Sequence, residues 1–131
     1  MFNVDLLESD CLLIAKPTGI VDIAMAEEIV EFIEIKEEQL ELGFNRFCDL
    51  THLEGIRIST EEVLQLAHRR RWFNPNTIHV KSAFFAINPL AFGIARMYEQ
   101  LLMSPRIEVR VWGDIQGAAD WLGVHLDQLS P

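Results

Sequence analysis

Residues 78–112 read IHVKSAFFAI, then NPLAFGIARMYEQLLMS, then, after Pro105, RIEVRVW. The first run is long and apolar, as in a parallel strand covered on both faces. In the second, Leu90, Ile94, Met97, Tyr98 and Leu101 recur every three or four positions, which a helix gathers into one stripe. Asn88 is placed to accept a free N–H at the start of that helix, and Pro89 suits its first position. Gly93 predicts close packing or a close backbone approach, and Arg96 can pair with Glu99 across one turn. Ser104-Pro105 ends the helix. Ile107, Val109 and Val111 then alternate with Glu108 and Arg110, which predicts a strand with one solvated face at a sheet edge. Strand, helix and strand in this succession form a β-α-β unit, so the chain is an α/β protein with parallel pairing.

The residues upstream extend the same plan. Residues 2–7 and 11–15 predict two strands around the polar turn Glu8-Ser9-Asp10, hence an antiparallel hairpin. Pro17-Thr18-Gly19 breaks that ladder. A helix is predicted over 22–42, with Met25, Ile29, Phe32, Ile33 and Leu40 on one side. Glu27, Glu28, Glu31, Glu34, Glu38 and Glu41 then form a solvated stripe, and Gly43 suits a left-handed residue just past the helix end. Residues 44–50 are a third strand. Ser59 and Glu62 have capping-box spacing and open a second helix with Val63, Leu64, Leu66 and Ala67 inward. Arg69, Arg70 and Arg71 close it, where the helix dipole favours cations by about 0.3–1 kcal/mol each. Successive helical residues point about 100° apart, so the three do not make a single-faced anion clamp. Trp72 and Phe73 are expected to cover the core edge. Asp114 caps a short helix ending at Gly123, and Leu126 and Leu129 dock the tail.

The order β-β-α-β-α-β-α-β-α predicts a mixed, mostly parallel five-stranded sheet with about four helices in one domain over 1–131. Its last three crossovers are expected to be right-handed. A net charge of -9 disfavours nucleic acid and anionic membranes, and no apolar run approaches the ~20 residues of a membrane span. The amino terminus lacks the basic-then-apolar pattern of a signal peptide, so a cytoplasmic location is expected. Cys11 and Cys48 lie in apolar runs and read as small buried thiols. Neither a glycine-rich cradle nor mixed metal-ligand spacing occurs, so no cofactor or metal is expected.

Ligands of open α/β sheets gather beyond the carboxyl ends of parallel strands. Asp49 closes the third strand, and Thr51, His52 and Glu54 follow in the loop. Asp49 and His52 have the chemistry of an acid–base pair, without an accompanying nucleophile; ordinary loop hydrogen bonding is the plainer reading.

INPLAFGIARMYEQLL (87–102), VRVWGDIQGAADWLG (109–123) and FCDLTHLEG (47–55) together resemble the STAS superfamily of sulfate-transporter and anti-sigma-factor-antagonist domains. They look closest to its small stand-alone bacterial members, the sporulation anti-anti-sigma-like, or STAS/SEC14-like, proteins. The resemblance implies a STAS-like fold and a non-catalytic regulatory or protein-interaction module with a protein partner. It also implies a switch serine opening the second helix, a place held here by Ser59 and Thr60 without the flanking Asp and Gly. The candidate binding or switch residues are therefore Asp49, Thr51, Ser59, Thr60 and Asn88. Trp72, Phe73 and Trp112 are open to two readings, a homodimer contact or core, with core the reading for Trp112. The SEC14-like branch implies an alternative, a carrier or sensor of a small apolar or nucleotide ligand held near the first helix and Phe92. An enzyme built on Asp49 and His52 has the fewest residues behind it.

Overall fold

The 78–112 stretch forms the predicted unit in the computed structural model, which describes residues 2–7, 11–40, 43–73, 75 and 78–130. Strand β1 (Phe2–Leu7) and β2 (Leu12–Pro17) make the antiparallel hairpin. A short β3 (Gly19–Asp22) follows, then helix α1 (Ile23–Gln39) and β4 (Asn45–Asp49). Next come β5 (Leu53–Arg57), α2 (Thr60–Trp72), β6 (Val80–Phe85) and α3 (Pro89–Leu102). The chain ends with β7 (Ile107–Trp112), α4 (Ile115–Leu122) and α5 (Leu126–Leu129). The main sheet has five strands in the order β1-β2-β4-β6-β7, parallel at every pairing except the first.

From β2 onward the sheet grows in one direction only. Crossovers of one hand that always step the same way deposit their helices on the same face. Leu13, Ala15, Phe32 and Ile33 accordingly pack together on that face, as do Val80, Ile107, Leu102 and Tyr98. The opposite face carries Leu12, Ile14, Phe47, Ala83 and Phe85, covered by α4 and α5. The edge position of β7 and the exposure of Glu108 and Arg110 follow the alternation in the sequence.

Two strands were not foreseen. After Thr18 and the left-handed Gly19 (φ 76°), β3 leaves the main sheet and pairs in parallel with β5, forming a separate two-stranded flap. Pro17-Thr18-Gly19 thus ends one ladder and turns the chain into another.

Several local readings are corrected. Helix α1 stops at Gln39, short of Leu42, and Glu41 and Leu42 lie outside the described residues, as does the Glu8–Asp10 turn. Gly43 has no left-handed backbone; a Cβ there would overlap the Ile78 side chain, so its role is close packing. The inward side of α3 carries Ala91, Ala95 and Leu102 together with the expected Ile94 and Tyr98, while Leu90 and the preceding Ile87 are exposed. Leu64 is also exposed, and Trp72, expected at the core edge, is 71% exposed. Cys11 is exposed in a turn instead of buried. Leu129 docks as expected, whereas Leu126 stays partly exposed.

Candidate functional site

The apolar face of α1 reaches a filled core only in part, through Phe32 and Ile33. Its fully buried residues are two glutamates, Glu34 and Glu37, whereas Ile29, Val30 and Ile33 remain only half-buried. Beneath them lies a cavity of about 160 Å³ between the sheet face and helices α1, α2 and α3. Leu13 and Ala15 of β2, Phe84 of β6, and Val21, Leu53 and Ile56 of the flap continue its apolar wall. The charged side chains on this wall are Arg46 of β4 and Arg70 of α2, and Tyr98 of α3 is beside them.

Those arginines belong to a buried network that draws together distant parts of the chain. Glu37 Oε2 accepts from Arg46 Nη2 and from Arg106 Nη2, each at 3.0 Å. Arg70 Nη1 donates to Glu34 Oε2 at 3.2 Å and lies 2.9 Å from Glu37 Oε1, off the line of a hydrogen bond. Arg69 Nη2 donates to Glu34 Oε1 at 2.6 Å. Arg71 turns instead to α3, whose last carbonyls accept from it: Leu102 at 2.8 Å and Leu101 at 2.5 Å. The three successive arginines thus point three ways, as helical geometry requires, but each finds a partner inside the fold. The stripe of solvated glutamates is corrected at Glu34, which is buried.

Electrostatics follow from this arrangement. Burial opposes the Glu37 charge, yet Arg70, Arg46 and Arg106 together hold its carboxyl below the ordinary value. Burial likewise opposes the charge on Arg70, and Glu37 and Glu34 overcome it. Arg46 fares worse: burial draws its guanidinium down to about 10 against the pull of Glu37. Its Nε is buried with no hydrogen-bond partner. The Tyr98 hydroxyl is raised by burial, with the Arg70 and Arg46 charges opposing. On the cavity wall, burial pushes the Cys48 thiol up to about 12, with the Asp49 charge adding to the effect.

The residues singled out from sequence lie around this cavity's rim elements and not on its wall. Asp49 is buried at the end of β4, where its Oδ1 accepts from Thr51 N at 2.9 Å and Thr51 Oγ1 at 2.5 Å. His52 Nε2 stands 3.3 Å from Asp49 Oδ2, so the Asp–His pair exists. Ser59 caps α2 in a complete capping box: its Oγ accepts from Glu62 N at 3.1 Å, and its N–H donates to Glu62 Oε1 at 2.9 Å. Thr60 is the first residue of α2, exposed. Asn88 caps α3 by accepting from Leu90 N at 2.8 Å and Ala91 N at 3.4 Å. Leu50 N donates to Phe85 O at 2.8 Å, so Asp49 and Asn88 stand at neighbouring strand ends. Asp49, Thr51, Ser59 and Asn88 are each engaged by their own turn or helix start. Phe92 is not on the cavity wall.

Sequence reasoning passed over Arg46, Glu37 and Arg106. One signal was available: Arg46 interrupts the apolar strand FNRFCDL, and an arginine there must be buried with a counter-charge. Among the described residues no group of three His, Cys, Asp or Glu side chains could hold a metal ion. No helix among them is long and apolar enough to cross a membrane.

No family model matches the sequence, and no curated protein does. Among solved structures, the chain is similar to an uncharacterised protein of the DUF3478 family with a SpoIIAA-like fold from Shewanella loihica PV-4. The two share 17% identity at a TM-score of 0.59, over 93% of this chain and 92% of that one. At that identity the likeness concerns the fold, which is SpoIIAA-like, that is, STAS-like.

Proposed function

We propose that this chain is a non-catalytic regulatory module of STAS type whose cavity takes up a small, mostly apolar molecule. The observation that carries the reading is the space under α1: a helix presents an apolar face, and a cavity of about 160 Å³ lies below it. An apolar void of roughly 150 Å³ is large enough to hold benzene, so the occupant is of that order and no phospholipid fits whole. Native mass spectrometry of freshly purified protein tests it, with a retained small molecule as the expected result. Bare protein in every preparation, together with no thermal stabilisation by added benzene, would overturn the reading.

Catalysis is not part of this proposal. The Thr51 hydroxyl donates to Asp49 and is not activated by His52, and His52 is mostly exposed. The pair therefore closes a turn. Nor does Ser59 favour a phosphorylation switch, because its hydroxyl and its backbone N–H are both engaged by Glu62.

Regulation requires that occupancy be read by something else, and a protein partner is the second element of the proposal. Ile87 (68% exposed) and Leu90 (58%) flank the Asn88 cap at the carboxyl end of β6 and supply an apolar contact there. A second copy of the chain is one such partner. Sedimentation velocity over a wide concentration range tests it; a monomer throughout, unchanged in the double variant Ile87→Lys, Leu90→Lys, removes self-association.

A further inference from the structure

Resting on the cavity reading, we infer that the cavity's ligand is a small monocarboxylate, an aryl or short alkyl acid whose carboxylate pairs with Arg46. Within the network three buried arginines, Arg46, Arg70 and Arg106, meet two buried carboxylates, Glu34 and Glu37; the third buried carboxylate, Asp49, is taken up by Thr51 and His52 in its own turn. Arg69, which also bonds Glu34, is half-exposed, so water screens its charge and it is not counted in the buried set. The buried set is therefore short of one negative charge. Two of its three arginines stand on the cavity wall, and no aspartate or glutamate does.

Arg46 carries the specific vacancy. The residue is only 5% exposed, one amino group is used on Glu37, its face lies on the Phe44 ring, and its Nε finds no acceptor. A buried donor without an acceptor is costly, and a guanidinium is shaped to bind a carboxylate. Arg70 and Tyr98 stand on the same wall, Arg70 already paired with Glu34 and Glu37, which leaves Arg46 as the cation with a free donor. Apart from Cys48 and Ser82 the remaining wall is hydrocarbon, and the cavity's volume suits one ring or a short chain. A single negative charge balances the set, which favours a monoanion over a phosphate dianion.

The probes are benzoate, its neutral isostere benzamide, and toluene, titrated at neutral pH by calorimetry with amide chemical shifts to place the site. Benzoate is expected to bind at least tenfold more tightly than benzamide, with shifts centred on Arg46, Cys48 and Tyr98. Arg46→Lys keeps a cation for Glu37 but removes Nε, and should lower benzoate affinity about tenfold while leaving toluene unaffected. Equal affinity for benzoate and benzamide, or shifts away from the cavity wall, would overturn the carboxylate assignment and leave the apolar cavity standing. So would unchanged benzoate binding by Arg46→Lys. Should that variant not fold, the benzoate–benzamide comparison on the natural chain decides alone. If none of the three compounds binds in the cavity, the inference and the underlying reading both fall.

Discussion

Gly93 lies inside α3 on its exposed side, and a methyl group built there meets nothing within 4 Å. Glycine in a helix interior leaves the unfolded chain more freedom, at about 0.5–1 kcal/mol relative to alanine. Gly93→Ala should therefore stabilise the protein by that amount, read as a raised urea midpoint with an unchanged slope; a lowered midpoint would reveal a close contact. Gly43 is the opposite case, since its Cβ would enter the Ile78 side chain. The two cysteines also divide by environment. Thiolate is the reactive form, and Cys48, with its thiol pushed up to about 12, holds almost none at mildly alkaline pH. Iodoacetamide should label the exposed Cys11 well before Cys48, as peptide mass mapping will report; equal rates would mean that the cavity wall is open to solvent. None of this is local information. Glu34 is 36 residues from Arg70, and Glu37 is 69 residues from Arg106, so helix periodicity could not pair them.

Helix α2 begins on the capping box that its sequence announced, because a serine and a glutamate three residues apart need only each other. Ser59→Ala removes one of the two bonds and should cost about 1 kcal/mol. For a chain of this size that is a fall of about 4 °C in Tm, visible by calorimetry. Ser59→Asp keeps a good N-cap acceptor and should lose much less; equal losses would show that the hydroxyl donates to a partner the cap does not explain. Caps were legible for the same reason at Asn88 and Asp114, whose side chains accept from the first turns of α3 and α4. The flap was not. β3 is four residues long, follows a Pro-Thr-Gly break, and its register with β5 shifts at Gly19/Ile20, so no alternation survives to mark it. The flap's Val21, Leu53 and Ile56 are spent on the cavity wall, a surface that no pattern within one element describes, and Ile20 is exposed.

At the scale of the molecule, strand order decides where space is left. The switch-point rule directs attention to the carboxyl edge of the sheet, but it presumes that the order reverses, and here the order runs from β2 to β7 without reversal. Three crossover helices then crowd one face, and the cavity forms between them and the sheet. Besides the packing of Phe32 and Ile33 on Leu13 and Ala15, α1 is held over that cavity by ions: Glu34 and Glu37 tie it to β4, to α2 and to the start of β7 through Arg46, Arg69, Arg70 and Arg106. Glu37 is the hub, and its pKa makes the tie depend on acidity. The folded value lies below the ordinary 4.5, so its stabilisation is complete above about pH 4.5 and is lost as pH falls through the lowered folded value. Glu37→Gln carries no charge at any pH and leaves buried arginines short of a partner, at a cost of about 3–5 kcal/mol near neutrality. Urea unfolding of both proteins between about pH 3 and pH 7 separates this carboxylate from all the others. The stability difference should stay constant down to about pH 4.5 and shrink below it. A difference that persists undiminished to the acid limit would mean that Glu37 is held by packing, and that α1 does not depend on the network for its place above the cavity.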